Sequence, residues 1–159
     1  MSYQLPTWLM PTALRAVHLR ARLFSPMTLG VRALLLDGQN RIFLVRHSYV
    51  PGWYLPGGGV EVGETTGEAL AREIREEANI ELDGDPALHG VFFNKGVSRR
   101  DHVVVYVARE FRIIGPRRPD WEIVETGFFD IDALPEDATR STRARVDEVV
   151  QGHPLSEYW

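Results

Sequence analysis

Three glutamates in one short segment are the side chains best suited to chemistry. Glu73, Glu76 and Glu77 lie within residues 66–79, whose pattern predicts a helix. At about 100° per residue, the three carboxylates fall within an arc of about 100° on one helix face. Carboxylates placed side by side repel one another, so the cluster favours a bound cation.

The chemistry of these ligands indicates which cation they would bind. Carboxylate oxygens are hard ligands that suit Mg²⁺ or Mn²⁺, and Mg²⁺ usually binds beside substrate phosphates. The cluster therefore indicates metal-assisted attack at phosphorus. The preceding turn, Pro56-Gly57-Gly58-Gly59, allows close backbone approach and can offer a free carbonyl as a further ligand. A tight turn without any ligand is the simpler interpretation of these glycines taken alone.

Residues 58–80 carry a longer pattern. Its six specified positions are Gly58, Glu64, Arg72, Glu73, Glu76 and Glu77. At ordinary residue frequencies such a match arises by chance with odds on the order of 10⁻⁵ over the chain. The pattern resembles the Nudix box, the signature of Nudix hydrolases, which cleave a nucleoside diphosphate linked to another moiety. It departs at Asn79, where the family has glycine; asparagine tolerates a left-handed backbone best after glycine, so we expect little effect on the chemistry.

The resemblance implies roles for the residues of the box. The implied ligands of Mg²⁺ or Mn²⁺ are Glu73, Glu76, Glu77 and the carbonyl of Gly58. Glu64 either helps to hold a metal through water or only supports the loop. Arg72 is expected to orient Glu73 or its neighbours through charge-assisted hydrogen bonds.

The resemblance also implies a general base, often a glutamate on a loop before the late strand. Glu122 is the first candidate because it lies six residues before Phe128, a spacing that some relatives share. Glu125 is the second candidate. In other relatives a box glutamate is the base, which leaves Glu76 and Glu77 open. For Glu122 and Glu125, a surface carboxylate without a catalytic role is the alternative.

Substrate recognition is less constrained by the sequence. Arg46 and Arg100 could pair with phosphates, and Tyr54 and Phe93 could stack on a base. Core packing is the alternative for the two aromatic side chains, and a solvated turn is the alternative for Arg100. Nucleoside triphosphates, ADP-ribose and nucleotide sugars all remain open as substrates.

The elements that must position these residues mix strands and helices without strict alternation. The patterns predict a hairpin of residues 31–36 and 42–45 joined at Asp37-Gly38. Further predicted strands are 53–55, 87–93, 102–111 and 128–131, and predicted helices are 66–78 and 142–150. A mixed sheet with flanking helices fits this order. With the resemblance, the expected fold is α/β, a Nudix α/β/α sandwich with a mixed β-sheet over residues 29–159.

Residues 1–28 are predicted to form a separate extension, helical over about residues 9–22. Residues 1–36 contain four arginines and no acidic residue, so the remainder holds 14 basic and 22 acidic residues. A helix that packs on the domain, or on a second subunit of a homodimer, is the simplest interpretation. A basic helix touching anionic lipid and a transit peptide are alternatives.

Composition narrows the classes of function. The chain has 159 residues, a net charge of −4 and no cysteine, which excludes disulfides and thiolate catalysis. A nucleic-acid binder of this size would usually be basic, so no nucleic-acid partner is expected. No apolar run approaches 18 residues, so no integral membrane contact is expected. With no evident signal segment, a cytoplasmic location is the default expectation.

Two classes of function follow. The first is a metal-dependent pyrophosphohydrolase that acts on a small nucleotide diphosphate substrate. The second is a Nudix-fold module that binds a nucleotide without turnover; relatives of that kind commonly lack box glutamates, and this chain has all of them. A third possibility, hydrolysis directed to membranes, depends on the basic extension.

Overall fold

The computed structural model of the protein describes residues 27–159, so the helix predicted near residues 9–22 lies outside the described residues. Within this range there are seven strands and two helices. They are β1 (Thr28–Leu35), β2 (Arg41–His47), α1 (Thr66–Ala78), β3 (Ile80–Leu82), β4 (Ala87–Phe93), β5 (Asp101–Ala108), β6 (Phe111–Ile113), β7 (Ile123–Asp130) and α2 (Arg140–Gln151). Neither helix in this part of the chain has the length and apolar character needed to cross a membrane.

Strand pairing forms a mixed sheet and two antiparallel pairs. In the sheet the order is β1-β5-β4, with β1 parallel to β5 from Thr28↔Asp101 to Leu35↔Ala108, and β5 antiparallel to β4. Strand β2 pairs antiparallel with β7, and β3 pairs antiparallel with β6. The mixed sheet predicted from the sequence is confirmed.

Two buried clusters lie on opposite faces of β1 and β2. Because side chains alternate along a strand, Val31 and Ala33 belong to one cluster and Leu34 to the other. Helix α1 contributes four residues to the first cluster: Ala69, Leu70, Ile74 and Ala78. Helix α2 contributes Val146 to the second. The strands therefore lie between two helices, as the expected α/β/α sandwich requires.

The predicted hairpin of β1 with β2 is wrong. The two strands share one bridge, Leu36↔Ile42, beside the turn. The edge of β1 that does not pair with β5 is already used, because the Val31 and Ala33 amides donate to the carbonyls of Gly58 (2.8 Å) and Pro56 (2.9 Å). The loop that enters the box thus takes the place that β2 would have in a hairpin.

Other element boundaries also differ from the sequence prediction. The predicted strand 102–111 divides into β5 and β6, because β5 pairs with β1 and β4 whereas β6 pairs with β3. Strand β3 was not predicted, and β7 begins at Ile123, five residues before the predicted start. Helix α2 begins at Arg140 instead of residue 142. The differences among the strands follow from long-range partners that local patterns do not encode. The start of α2 is defined locally, because the Thr139 side chain caps the helix by accepting a hydrogen bond from the Thr142 amide.

Helix α1 has the predicted bounds because its own residues define both ends. At the start, Thr65 accepts a hydrogen bond from the Glu68 amide, and the Glu68 carboxylate accepts one from the Thr65 amide. Such a capping box stabilises a helix start by about 1 kcal/mol. At the end, Asn79 has a left-handed backbone with φ 53°, and its side-chain amide donates to the Gly115 carbonyl at 3.0 Å.

We expect Asn79→Ala to lower the free energy of unfolding by about 2 kcal/mol, because a left-handed alanine costs about 1 kcal/mol and the hydrogen bond to Gly115 contributes about 1 kcal/mol. Asn79→Gly loses only the hydrogen bond and should cost less than about 1 kcal/mol. Urea unfolding of both variants measures the difference. Equal losses would contradict a role for the left-handed backbone.

Candidate active site

The turn before α1 brings a buried glutamate against the backbone. Glu77 is 6% exposed, and its Oε2 accepts a hydrogen bond from the Gly57 amide at 2.7 Å. A Cβ on Gly57, at φ +138°, would lie 2.1 Å from the Val31 carbonyl oxygen, so only glycine fits between α1 and β1. Burial raises the pKa of Glu77 to about 7, against the opposing effects of Arg32 and the Gly57 amide.

Arg72 ties the loop of the box to its helix. Its guanidinium donates to both carboxylate oxygens of Glu64 at 2.9 Å, to Glu73 at 2.7 Å and to the Gly59 carbonyl at 3.0 Å. The hydrogen bond from Arg72 holds the pKa of Glu64 below its usual range, and the same carboxylates raise the pKa of Arg72. Glu64 therefore supports the loop through Arg72 in this arrangement.

Gly58 lies directly against a box carboxylate. A Cβ at this position would lie 2.5 Å from Glu73 Oε1, so a side chain would displace the carboxylate. The Gly58 carbonyl accepts a hydrogen bond from the Val31 amide at 2.8 Å, which leaves one of its two lone pairs for another contact.

The three box glutamates face one cleft of about 520 Å³. Its lining comes from α1 and from residues 116–123, and comprises Glu73, Arg75, Glu76, Glu77, Asn79, Pro116, Arg117, Arg118, Asp120, Glu122 and Ile123. Of the predicted site residues, the fold thus brings Glu73, Glu76, Glu77 and Glu122 together. Four carboxylates around one cleft can bind divalent cations and, through them, phosphates.

Charged groups fix the loop that carries Glu122. Asp120 accepts hydrogen bonds from the amides of Glu122 (2.9 Å) and Ile123 (2.8 Å) and from Arg117 (2.5 Å). Arg117 also donates to the Glu76 carbonyl at 2.7 Å, which joins the loop to α1. The Ile123 amide first, and then Arg117, lower the pKa of Asp120 to about 2. Glu122 is therefore held beside the box by a preformed loop.

The second base candidate lies elsewhere. Glu125 is on β7 and its carboxylate lies 3.7 Å from the Arg46 guanidinium. It does not line the cleft of about 520 Å³, whereas Glu122 does. Of the two loop candidates, Glu122 is the one that the fold places on the cleft with the box glutamates.

None of the four residues proposed for substrate binding lines this cleft. Arg46 pairs with Asp137 at 2.9 Å and lies over the Trp53 ring at 4.7 Å. The Tyr54 hydroxyl donates to the Pro51 carbonyl at 2.9 Å. Phe93 ends β4 and lines a separate groove of about 340 Å³, and Arg100 precedes β5 in an exposed turn.

The segment before β7 contains polar residues that the sequence patterns did not single out. Arg117 and Arg118 line the cleft, and Trp121, beside Glu122, is 80% exposed. The available signal was an arginine pair between Pro116 and Pro119, immediately before the candidate base. Arginines there can bind phosphate oxygens.

His47 ends β2 and lines a separate groove of about 350 Å³ instead of this cleft. It is 6% exposed, and its Nε2 lies 3.8 Å from Glu77 Oε1. Burial first, and then the nearby Arg32, lower the pKa of His47. The imidazole is therefore neutral at pH 7 beside the most buried of the box carboxylates.

The fold and the cleft together match a known family. A model of the NUDIX domain matches residues 26–149, most of the chain, and this protein therefore belongs to the NUDIX family. The resemblance of residues 58–80 to the Nudix box is thereby confirmed.

Individual relatives agree with this assignment. The chain is 34% identical over 105 residues to an ADP-ribose pyrophosphatase of Methanocaldococcus jannaschii, which covers 64% of this chain and 62% of the relative. It is 36% identical over 87 residues to diphosphoinositol polyphosphate phosphohydrolase 2 of Rattus norvegicus, covering 54% and 45%. The chain thus spans less than two thirds of the length of these curated relatives.

Solved structures show the same architecture. A MutT NUDIX hydrolase from Burkholderia pseudomallei superimposes with a TM-score of 0.67 and 28% identity over 79% of this chain and all of that chain. An ADP-ribose pyrophosphatase from Streptococcus suis gives a TM-score of 0.61 and 26% identity over 84% and 96%. The Nudix fold expected from the sequence is confirmed.

Proposed function

We propose that the protein is a metal-dependent pyrophosphohydrolase that cleaves a nucleoside diphosphate linked to another moiety by attack of water at phosphorus. The observation that carries this proposal is the convergence of Glu73, Glu76, Glu77 and Glu122 on one cleft. Three arginines line the same cleft, but Arg75 pairs with Glu81 and Arg117 with Asp120. Arg72 lies near Glu73 and Glu76. Four glutamates with this few arginine partners still favour a cation, because like charges in proximity cost stability.

The residues present fit Mg²⁺ or Mn²⁺. The donors are hard oxygens, and Gly58 leaves the space against Glu73 that a side chain would fill. Glu73, Glu76, Glu77 and the Gly58 carbonyl would hold the ion, with Arg72 and Glu64 fixing the position of Glu73. When bound, such an ion lowers the pKa of a water and stabilises charge on a leaving phosphate.

The remaining steps belong to side chains of this chain. Glu122 is our proposed general base, because it lines the cleft and hydrogen bonds to Asp120 hold its backbone in place. A base held in this way can take the proton of the attacking water. Arg118 would bind the diphosphate and orient it for attack in line with the leaving group, while Arg117 holds the loop through Glu76 and Asp120.

The class of substrate is proposed from the relatives and from the cleft. Relatives are named for ADP-ribose, 8-oxo-dGTP and diphosphoinositol polyphosphate, all of which contain a phosphoric anhydride. Arg46, Tyr54, Phe93 and Arg100 stay as candidate contacts to parts of the substrate that extend beyond the cleft. Nucleoside triphosphates, ADP-ribose and nucleotide sugars are the three groups to separate.

A turnover screen tests this function. The full chain with Mg²⁺ is incubated with ADP-ribose, nucleoside triphosphates, nucleotide sugars, dinucleoside polyphosphates, NADH and diphosphoinositol polyphosphate, and products are identified by mass. Fast release of a nucleoside monophosphate from one class would support the proposal and identify the substrate group. Failure to cleave any of them would contradict it.

The alternative is a Nudix-fold module that binds a nucleotide without turnover. Glu76→Gln separates the two, because Glu76 is 62% exposed and its loss should leave the fold intact. For an enzyme we expect kcat to fall by about 10²–10³-fold, while nucleotide binding by calorimetry changes little. If the unmodified chain binds a nucleotide but does not turn it over, the binding module is favoured.

A further inference from the structure

His47 is positioned in a way that packing alone does not explain. It is more than nine-tenths buried, and its Nε2 faces Glu77 Oε1 at 3.8 Å, a distance too long for a hydrogen bond. Its Nδ1 is buried without a hydrogen-bond partner among residues 27–159. A buried polar group without a partner costs about 1–3 kcal/mol. That cost concerns Nδ1; a ligand between His47 and Glu77 would bind the other nitrogen, Nε2, which faces Oε1 across a gap too long for a hydrogen bond.

The end of strand β2 places the His47 ring beside Glu77. The register between β2 and β7 shifts between Arg46 and His47, and such bulges redirect a side chain. Rings of Tyr49 and Tyr54 lie 5.2 Å and 5.6 Å from the imidazole and restrict its rotation. The Ser48 amide donates to the Glu122 carbonyl at 2.9 Å, which fixes this strand end beside the candidate base.

Three donor atoms then lie close together. One atom each from His47, Glu77 and Glu122 lies within 4.8 Å of the other two. Because Glu77 Oε2 is held by the Gly57 amide, Oε1 is the carboxylate oxygen that faces His47. A divalent ion with bonds of about 2.1 Å has ligands up to about 4.2 Å apart, so small side-chain adjustments complete the set.

We propose that His47, Glu77 and Glu122 form a metal position with one nitrogen and two oxygen donors, which selects a first-row transition-metal ion over Mg²⁺. The inference rests on the proposed function, since both carboxylates also serve the hydrolytic site. Oε1 of Glu77 would be shared with the box ion, and Glu122 would bind through one oxygen and keep the other for the proton of the attacking water. Mg²⁺ demands oxygen ligands and keeps its waters, whereas imidazole raises affinity along the series from Mn²⁺ to Zn²⁺. The other box ligands, all oxygens, remain suited to Mg²⁺.

Pulsed electron paramagnetic resonance of the full chain loaded with Mn²⁺ tests this position. We expect modulation from a directly bound imidazole nitrogen in the unmodified chain, and its loss in His47→Gln. The exposed His153→Gln variant is the matched control and should keep the modulation. The dissociation constant for Mn²⁺ should rise by about 10-fold or more in His47→Gln, and that for Mg²⁺ by less than about 2-fold.

The outcomes separate this inference from the proposed function. Bound Mn²⁺ without nitrogen modulation, in a chain that turns over substrate with Mg²⁺, would overturn the imidazole ligand and leave the function intact. A chain that neither binds Mn²⁺ nor turns over substrate would overturn both. If His47→Gln does not fold, ¹⁵N-histidine labelling shows whether an imidazole binds, because a bound ring changes the modulation from ¹⁴N to ¹⁵N. Glutamine variants of the other four histidines, one at a time, then decide: loss of the modulation in any of them would overturn the assignment to His47.

Discussion

Glu77→Gln is expected to remove turnover and, in the absence of metal, to stabilise the fold. The amide can still accept the hydrogen bond from Gly57, so the turn before α1 should keep its shape. It binds a hard cation far less well than a carboxylate, and we expect kcat/KM to fall by about 10²–10³-fold or more. The variant gains stability because a neutral amide avoids the free-energy cost of burying the carboxylate charge.

The size of that gain in stability depends on pH. Burial raises the pKa of Glu77 from an ordinary 4.5 to about 7. Between pH 4.5 and pH 7, the folded chain therefore keeps a proton on Glu77 that the unfolded chain has lost. Stability therefore falls as pH rises from 4.5 to 7 and stays low above 7. At pH 8 with EDTA, the variant should exceed the unmodified chain by about 3 kcal/mol in free energy of unfolding.

Urea unfolding at pH 4.5 and pH 8, with and without Mg²⁺, measures both effects. The difference between Glu77→Gln and the unmodified chain should vanish at pH 4.5. Mg²⁺ should stabilise the unmodified chain and the control variant but not Glu77→Gln, because an ion that binds the folded state alone shifts unfolding by mass action. The exposed Glu136→Gln is the control. Equal stability of all three chains at pH 8 would show that Glu77 is not held as a buried charge.

The parts of the fold that the sequence predicted are those defined locally. Helix α1 was predicted with its bounds because Thr65, Glu68 and Asn79 specify its two ends within the segment. Strand partners were not predicted in the same way. Strand β1 precedes a turn signal typical of a hairpin, yet its edges pair with β5 and with the loop at Gly58. Strand pairing depends on which distant segment buries more apolar surface with the strand, and a turn signal does not predict that segment.

The candidate site shows the same division. The spacing of the box places Glu76 and Glu77 on one helix face, but their side chains are 62% and 8% exposed. The difference arises because Gly57 packs between β1 and α1 and covers only Glu77. Likewise, a bulge at Arg46 and His47 brings the imidazole beside Glu77, thirty residues later in the chain. The chemical type of the site side chains could be predicted from the sequence. Their burial and neighbours could not, because these depend on how distant segments pack.

On the opposite side of the sandwich, a buried ion-pair network joins α2 to β4. Arg145 is 1% exposed and donates to Glu148 at 2.5 Å and to the Tyr158 carbonyl at 3.2 Å. His89 Nε2 lies 2.9 Å from the second oxygen of Glu148. The Arg145 guanidinium also stacks on the Phe92 ring at 3.8 Å. One side chain thus links a helix, a strand and the segment that ends at residue 159.

That segment extends the edge of β4. The Phe93 amide donates to the Glu157 carbonyl at 2.9 Å, and the Trp159 amide donates to the Phe93 carbonyl at 3.1 Å. Trp159 packs against the buried side chains of the second cluster. Docking of residues 156–159 therefore depends on the same arginine that neutralises Glu148.

We expect Arg145→Ala to lower the free energy of unfolding by about 3–5 kcal/mol, because removing one partner leaves Glu148 as a buried charge and exposes the Phe92 ring. This is a large share of the 5–15 kcal/mol of a typical domain. Urea unfolding at pH 7 measures the loss. Arg140→Ala, on the exposed face of the same helix, should change stability by less than about 0.5 kcal/mol.

A double variant distinguishes the cost of an unpaired charge from the cost of lost packing. Arg145→Leu combined with Glu148→Leu removes both charges and fills the space, so it should be more stable than Arg145→Ala by about 2 kcal/mol or more. If the double variant is no more stable than Arg145→Ala, the loss comes from packing on Phe92 and from the hydrogen bond to Tyr158. A loss below about 1 kcal/mol in Arg145→Ala would contradict any structural dependence on this network.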